Sequence, residues 1–292
     1  MAGYLLPDAI MHRADPKPNQ FALPVDGAVR LVLAGVALAA GITGLVLLAL
    51  PADSSNYFSW GLDPPPLAAL IGGSYVASLL VFGMALRASW VEVRGLVVAT
   101  LALTLPMLAA TFVHLDAFDF GRWQAWGWVL LFLASPVSFG AVLIQRGRPT
   151  QVDGQRPAAW ARLLAGVMCV GLLTLAVLLW IEPARFGLAV FPFELPPLGG
   201  RVLGSWMSFL AFLAGWAATH TRTEGWIPSL GLVAFTAGAL LGALRTIADL
   251  ASPWPYLAGL LVLTTLGWLL FREADGSHPA ADHDAGRAGG VA

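Results

Sequence analysis

Long apolar runs separated by short polar breaks make up most of this chain. The first run, Ala28 to Leu50, holds one charged residue, Arg30. A helix rises 1.5 Å per residue, so about 20 residues cross the roughly 30 Å hydrocarbon core of a bilayer. Seven comparable runs follow: Pro65 to about Leu86, Gly95 to His114, Trp126 to Ile144, Ala159 to Ile181, Pro197 to Ala218, Ile227 to about Asp249, and Pro255 to Phe271, the shortest. Each predicts a spanning helix, because in lipid only a helix or a closed barrel satisfies its backbone internally. Pro65 and Pro66 suit a helix start, where the missing N–H leaves no bond unmade. Among the breaks, Arg87 to Arg94 reads as a charged turn, Asp116 to Arg122 is polar and acidic, and Thr150 to Arg156 is the longest interior polar stretch.

The pattern occurs twice. Trp60-Gly-Leu-Asp63-Pro-Pro-Pro-Leu67 and then Gly73-Ser-Tyr75 find a match in Phe191-Pro-Phe-Glu194-Leu-Pro-Pro-Leu198 and Gly204-Ser-Trp206. Asp63 meets Glu194, and Ser74 meets Ser205, each 131 residues on (194 − 63, 205 − 74). Ala34-Gly-Val36 meets Ala165-Gly-Val167 at the same offset, which argues that the first run is a span rather than a cleaved leader. Around the third run the offset drifts. Gly95 meets Gly231, 136 on (231 − 95), and His114 meets Asp249, 135 on (249 − 114). The predicted fold is all-α and polytopic: eight transmembrane helices as two four-helix repeats, 28–146 and 159–272. A tail 1–27, a linker 147–158 and a disordered tail 273–292 complete the chain. An even number of spans per repeat gives both the same orientation, with a pseudo-two-fold axis along the membrane normal.

Composition agrees. Of 292 residues, 58% are hydrophobic and 11% charged, against about 25% charged in soluble domains. The net charge of −1 offers nothing to nucleic acid. With the N-terminus inside, 12 of the 16 basic residues fall on inner segments, so both termini are predicted to be cytoplasmic. Trp60, Trp90, Trp123, Trp126, Trp160, Trp180, Trp226 and Trp254 fall at predicted span ends, where an amphipathic ring suits the headgroup layer. The single cysteine, Cys169, reads as an apolar packing residue.

Candidate chemistry is sparse. Asp63 and Glu194 precede the two Pro-Pro starts. They either meet the positive end of a helix dipole or face each other across an outer vestibule. His114 and Asp249 form a second pair near the outer surface, and Arg245, one turn before Asp249, is placed to pair with it. Arg201 and Arg245 have uncharged counterparts, Leu70 and Ala110, which points to an asymmetric site. Gly200 and Gly204, with Ala69 and Gly73 as counterparts, predict that spans two and six pack on each other at the axis. Ser74, Ser78, Ser205, Ser208 and Thr236 read as helix-to-helix hydrogen bonds. His114 with Asp116 and Asp119 fits no metal signature, and no cofactor, phosphate-loop or nucleophile–base motif occurs, which leans away from an enzyme.

Phe58-x-Trp60-x-Leu62-x-Pro64-Pro65 followed by Gly72-Gly73-Ser74-Tyr75 resembles a group of uncharacterised multi-pass bacterial membrane proteins with an aromatic-rich Pro-Pro loop before a span. The resemblance implies a location, the bacterial cytoplasmic membrane, and no activity. Two functions then compete: binding or transport of a small cationic or lipidic ligand, or a structural or accessory subunit contacting another membrane protein. The first predicts an acidic outward vestibule on the axis, built from Asp63 and Glu194 with Trp60 and Phe191 beside them for cation–π contacts. The second predicts a packed bundle without a cavity. The bilayer is a partner in both.

Overall fold

The structure, a computed structural model, describes residues 25, 27–148 and 154–275. The expected N-terminal tail, the middle of the linker and most of the C-terminal tail lie outside the described residues. The described residues form ten α-helices: α1 (Gly27–Ala49), α2 (Ser54–Tyr57), α3 (Pro65–Ala85), α4 (Trp90–Val113), α5 (Trp123–Arg146), α6 (Ala159–Ile181), α7 (Pro183–Leu188), α8 (Pro197–Thr219), α9 (Arg222–Arg245) and α10 (Pro253–Asp275). Short 3-10 turns follow α1, α4 and α9. Eight of the ten are long and apolar enough to cross a membrane. The protein is therefore an all-helical, multi-pass membrane protein.

Three of the boundaries that differ from the sequence reading have a polar cause. The Arg87–Arg94 turn shrinks to four residues, because Ser89 and Glu92 form a capping box that starts α4 at Trp90. The Ser89 N–H and hydroxyl donate to the Glu92 carboxylate at 2.6 and 2.7 Å. Thr221 and Glu224 start α9 at Arg222 in the same way, five residues before the expected Ile227. Finally, α10 is 23 residues long rather than the shortest span. Glu273, expected in the tail, lies in its last turn, where it accepts from Arg222 and from the Ala158 N–H at 3.0 Å.

The pairing of His114 with Asp249 also shifts. Counted from the helix ends, His114 stands level with Thr246. Both residues close their helices with similar backbone angles, φ −126°, ψ 38° and φ −118°, ψ 28°. Asp249 then stands level with Ala117, each ending a 3-10 turn.

Burial separates an inner set of helices from an outer one. In α3, 72% of the most apolar stretch is buried, in α8 and α9 61%, and in α5, α6 and α10 22%. Helix α1 packs on α3, and α6 on α8. Helix α5 packs on α4, and α10 on α9; α3 crosses α9, and α4 crosses α8. The predicted packing of the Gly200/Gly204 stripe against the Ala69/Gly73 stripe does not occur. Ala69 and Gly73 instead face Gly242 and Gly238 of α9, backbone against backbone. Gly200 lies on Pro183, and Gly204 on Ala176 and Trp180. Helices α3 and α8 meet instead through Tyr75 and Trp206, ring centroids 5.5 Å apart, and where Leu67 abuts Gly199.

The packing of the described residues leaves a gap. Helices α8 and α9 close on each other, and Trp206, Phe209 and Phe235 interlock there with centroids 4.8–5.8 Å apart. Helices α6 and α10 also touch. Among the described residues, α3 does not close on α4 in this way, and α1 does not pack on α5.

Candidate functional site

The loop residues singled out by the sequence fall into separate places. Trp60 is buried in an aromatic cluster with Phe58, Phe118 and Trp128, at centroid distances of 4.8, 5.4 and 4.6 Å. Phe191 is buried beside Phe193 and Tyr256, at 5.6 and 5.9 Å. Both rings anchor their own loops. Asp63 and Glu194 are exposed, and among the described residues neither carries a hydrogen bond or ion pair. Neither caps a helix by hydrogen bonding: Pro64 and Pro196 hold the N-cap positions of α3 and α8 without a side-chain bond. Asp249 is exposed. Arg245 donates to the Ala49 carbonyl at the end of α1, 3.3 Å away, rather than pairing with it.

His114 has a partner that the sequence did not join to it. Arg201 of α8 donates to His114 Nε2 and also to the Trp180 carbonyl at 3.3 Å. Accepting that bond requires the neutral ring. Burial, and then the Arg201 guanidinium, hold the imidazole below its ordinary value of 6.5, against an opposing pull from Asp116. Sequence reasoning had marked both residues, but on different spans and for different reasons.

The gap in the packing is a cavity of about 480 Å³. Its walls come from α1 (Val36, Thr43, Leu47), α3 (Tyr75, Ser78, Phe82), α4 (Thr100, Leu103, Thr104) and α5 (Gln124, Trp128, Phe132, Ser135). Tyr57, Phe58 and Ser59 cover one end, and Trp206, Phe209 and Phe235 close the back. Ile42, Val46 and Leu131, at its edge on α1 and α5, are exposed on the surface that faces lipid. The opening is therefore lateral, between two helices that do not pack together. Among the residues lining it there is no acidic, basic or histidine side chain. Asp63, Glu194, Trp60, Phe191, His114, Asp249 and Arg245 are not among the residues lining it.

Three hydroxyls on this wall bond to their own helix. Ser78, Thr100 and Ser135 donate to the carbonyl four residues back, at 3.3, 2.8 and 2.6 Å. Ser74, Ser205, Ser208 and Thr236 do likewise, so the helix-to-helix role expected for the intramembrane hydroxyls is not the one they play. A hydroxyl inside a helix reaches its own preceding turn more readily than a neighbour. Ser59 ties the covering loop to α5 through the Gln124 carbonyl at 2.9 Å, and Trp128 donates to Thr111 at 2.9 Å. Thr104 Oγ1 and Trp206 Nε1 are buried and find no partner among the described residues. The signal for this cavity in the sequence was slight: small Ser78 on α3, where α8 carries Phe209, 131 residues on (209 − 78).

No protein-family model, no curated protein and no solved structure matches this chain.

Proposed function

We propose that the protein is a membrane-embedded binding protein that takes an uncharged lipidic ligand from the bilayer into the cavity between α1 and α5. The observation that carries this reading is the cavity itself: about 480 Å³, aromatic and aliphatic, without a charged side chain, and open towards lipid. Ligand sites typically fall in the range of about 300–1,000 Å³ with a few placed polar groups. A structural subunit would be expected to be a bundle packed throughout, so the cavity favours binding. The absence of acids on its wall favours a lipidic ligand over a cationic one. We therefore place the ligand here rather than between Asp63 and Glu194.

The scaffold we infer is a duplicated one, two parallel four-helix repeats with both termini inside. Helix starts support it: α1 and α6, α3 and α8, and α4 and α9 each begin 132 residues apart (159 − 27, 197 − 65, 222 − 90). The two capping boxes and the matched pairs α1–α3 with α6–α8 and α3–α9 with α8–α4 support it as well. On this reading the second repeat has filled its own copy of the cavity with Phe209 and Phe235, and the first has kept it open.

Gly127 offers a direct test. It lies on the cavity wall, and a Cβ added there meets only the Trp123 ring, 3.9 Å away. Gly127→Phe places a ring in the cavity at little cost to the helix. Wild-type protein purified in mild detergent and probed by native mass spectrometry should retain a neutral lipid that Gly127→Phe lacks, with both folded. Equal lipid content in the two proteins, or none in either, would overturn the reading.

A further inference from the structure

One polar group in the middle of the cavity deepens this reading and rests on it. Tyr75 of α3 lines the cavity and is 8% exposed. Its hydroxyl carries no hydrogen bond among the described residues, and it is not one of the unpartnered atoms sealed away from the cavity, as Thr104 Oγ1 and Trp206 Nε1 are. The phenol oxygen is thus both unpaired and open to the space that Tyr75 lines.

The other hydroxyls open to the cavity have partners within reach. Tyr57 donates to the Leu50 carbonyl and Ser59 to that of Gln124, while Ser78, Thr100 and Ser135 use their own helices. Thr43 of α1 is half-buried and unbonded, but a threonine hydroxyl can turn to the carbonyl one turn back, as Thr100 does. A tyrosine has no such recourse. Its rigid ring carries the oxygen out from the helix, where a buried phenol ordinarily finds a partner.

The depth of that oxygen narrows the partner. Tyr75 is ten residues from the start of α3 (75 − 65). Ten residues are about 15 Å of helix, which reaches the middle of a roughly 30 Å core. The ester oxygens of ordinary phospholipids lie at the headgroup boundary, so a bulk lipid brings only hydrocarbon to this level. A ligand entering from the side exchanges one hydrocarbon medium for another and gains little from the hydrophobic effect. Preference over bulk lipid must come from shape and from polar contacts. A phenol can donate, and no charged side chain among the lining residues competes for it. We propose that the cavity selects an uncharged lipid with a carbonyl oxygen deep in its apolar part, which accepts a hydrogen bond from the Tyr75 hydroxyl.

The test compares nonyl phenyl ketone with decylbenzene, which differ by one carbonyl in place of a methylene. Each, radiolabelled, is partitioned between nanodiscs holding the full-length protein and empty nanodiscs. The ketone should be enriched over the hydrocarbon by about tenfold, the scale of one buried hydrogen bond. Tyr75→Phe, which removes only the oxygen, should abolish that preference and leave the enrichment of decylbenzene unchanged. Ser78→Ala, one turn along the same wall, removes a hydroxyl that is already bonded and should leave the preference intact. The carbonyl stretch of the ketone in infrared spectra should shift down on binding to wild type and not to Tyr75→Phe. A ketone preference that persists in Tyr75→Phe would overturn the assignment to Tyr75. Equal enrichment of both probes in wild type would overturn the selectivity and leave the binding reading standing. No enrichment of either probe would overturn both.

Discussion

Gly73→Ala adds one carbon where α3 crosses α9, and the geometry sets the cost. A Cβ on Gly73 would press on the Gly238 carbonyl oxygen and stand 2.7 Å from its carbonyl carbon. Ordinary contact begins near 3.4 Å and the oxygen stands nearer than the carbon, so the helices must part by roughly an ångström or more. Both obstructing atoms are backbone and cannot rotate aside. Overpacking of this kind costs about 1–3 kcal/mol. Alanine recovers about 0.5–1 kcal/mol of helix propensity over glycine. The steric cost is the larger, and the net expectation is a loss of about 1–2 kcal/mol. Gly83 lies on the same helix with nothing within 4 Å of an added Cβ, so Gly83→Ala keeps only the gain. The measurement is unfolding in mixed micelles by titration with dodecyl sulfate, followed by circular dichroism. Gly73→Ala should fall below wild type and Gly83→Ala rise above it. If Gly73→Ala were as stable as Gly83→Ala, the close backbone crossing of α3 and α9 would be wrong.

Other outcomes follow from the polar ends of the spans. The folded-state pKa of His114 is depressed, so its contribution to stability is complete above about pH 6.5 and is lost as pH falls below that value; the melting temperature should drop through that window, and His114→Gln should flatten the dependence. Glu92 closes the α4 capping box and also accepts from Trp226 Nε1 at 2.6 Å, so Glu92→Ala should cost about 1–3 kcal/mol in the same unfolding assay. A cysteine at position 63 should react with an impermeant maleimide outside intact cells, and one at position 153 only after lysis; the reverse pattern would invert the inferred topology.

The spans were legible because a bilayer fixes helix length, and 21 to 24 mostly apolar residues with few charges leave little choice. Their starts were less legible. Ser89-x-x-Glu92 and Thr221-x-x-Glu224 are capping boxes in the sequence, but the neighbouring arginines made the first look like a loop. Missing both boxes moved the starts of the third and seventh spans, and the pairing of His114 with Asp249 rested on matching Thr111–Leu115 to Thr246–Leu250. The small-residue stripe on α3 was read correctly as an interface and assigned the wrong partner. A period of four shows that a helix will approach another closely, not which one. The Gly238/Gly242 stripe was equally visible within Thr236-Ala-Gly-Ala-Leu-Leu-Gly242. The cavity was beyond sequence reasoning for a different reason: it exists because helices fail to meet, and a missing contact has no residue of its own. Thr104 carried no mark until its hydroxyl was seen to lack the carbonyl bond that Thr100 and Thr236 make.

On the proposed reading, entry between α1 and α5 changes what concentration means for this protein. A ligand arriving sideways never crosses the aqueous phase as a free species, so its chemical potential is set by its mole fraction among the surrounding lipids. Diluting the sample with buffer leaves that fraction unchanged, while enlarging the lipid pool lowers it. Occupancy then reports membrane composition, and two membranes with the same total ligand but different lipid content fill the same cavity to different extents.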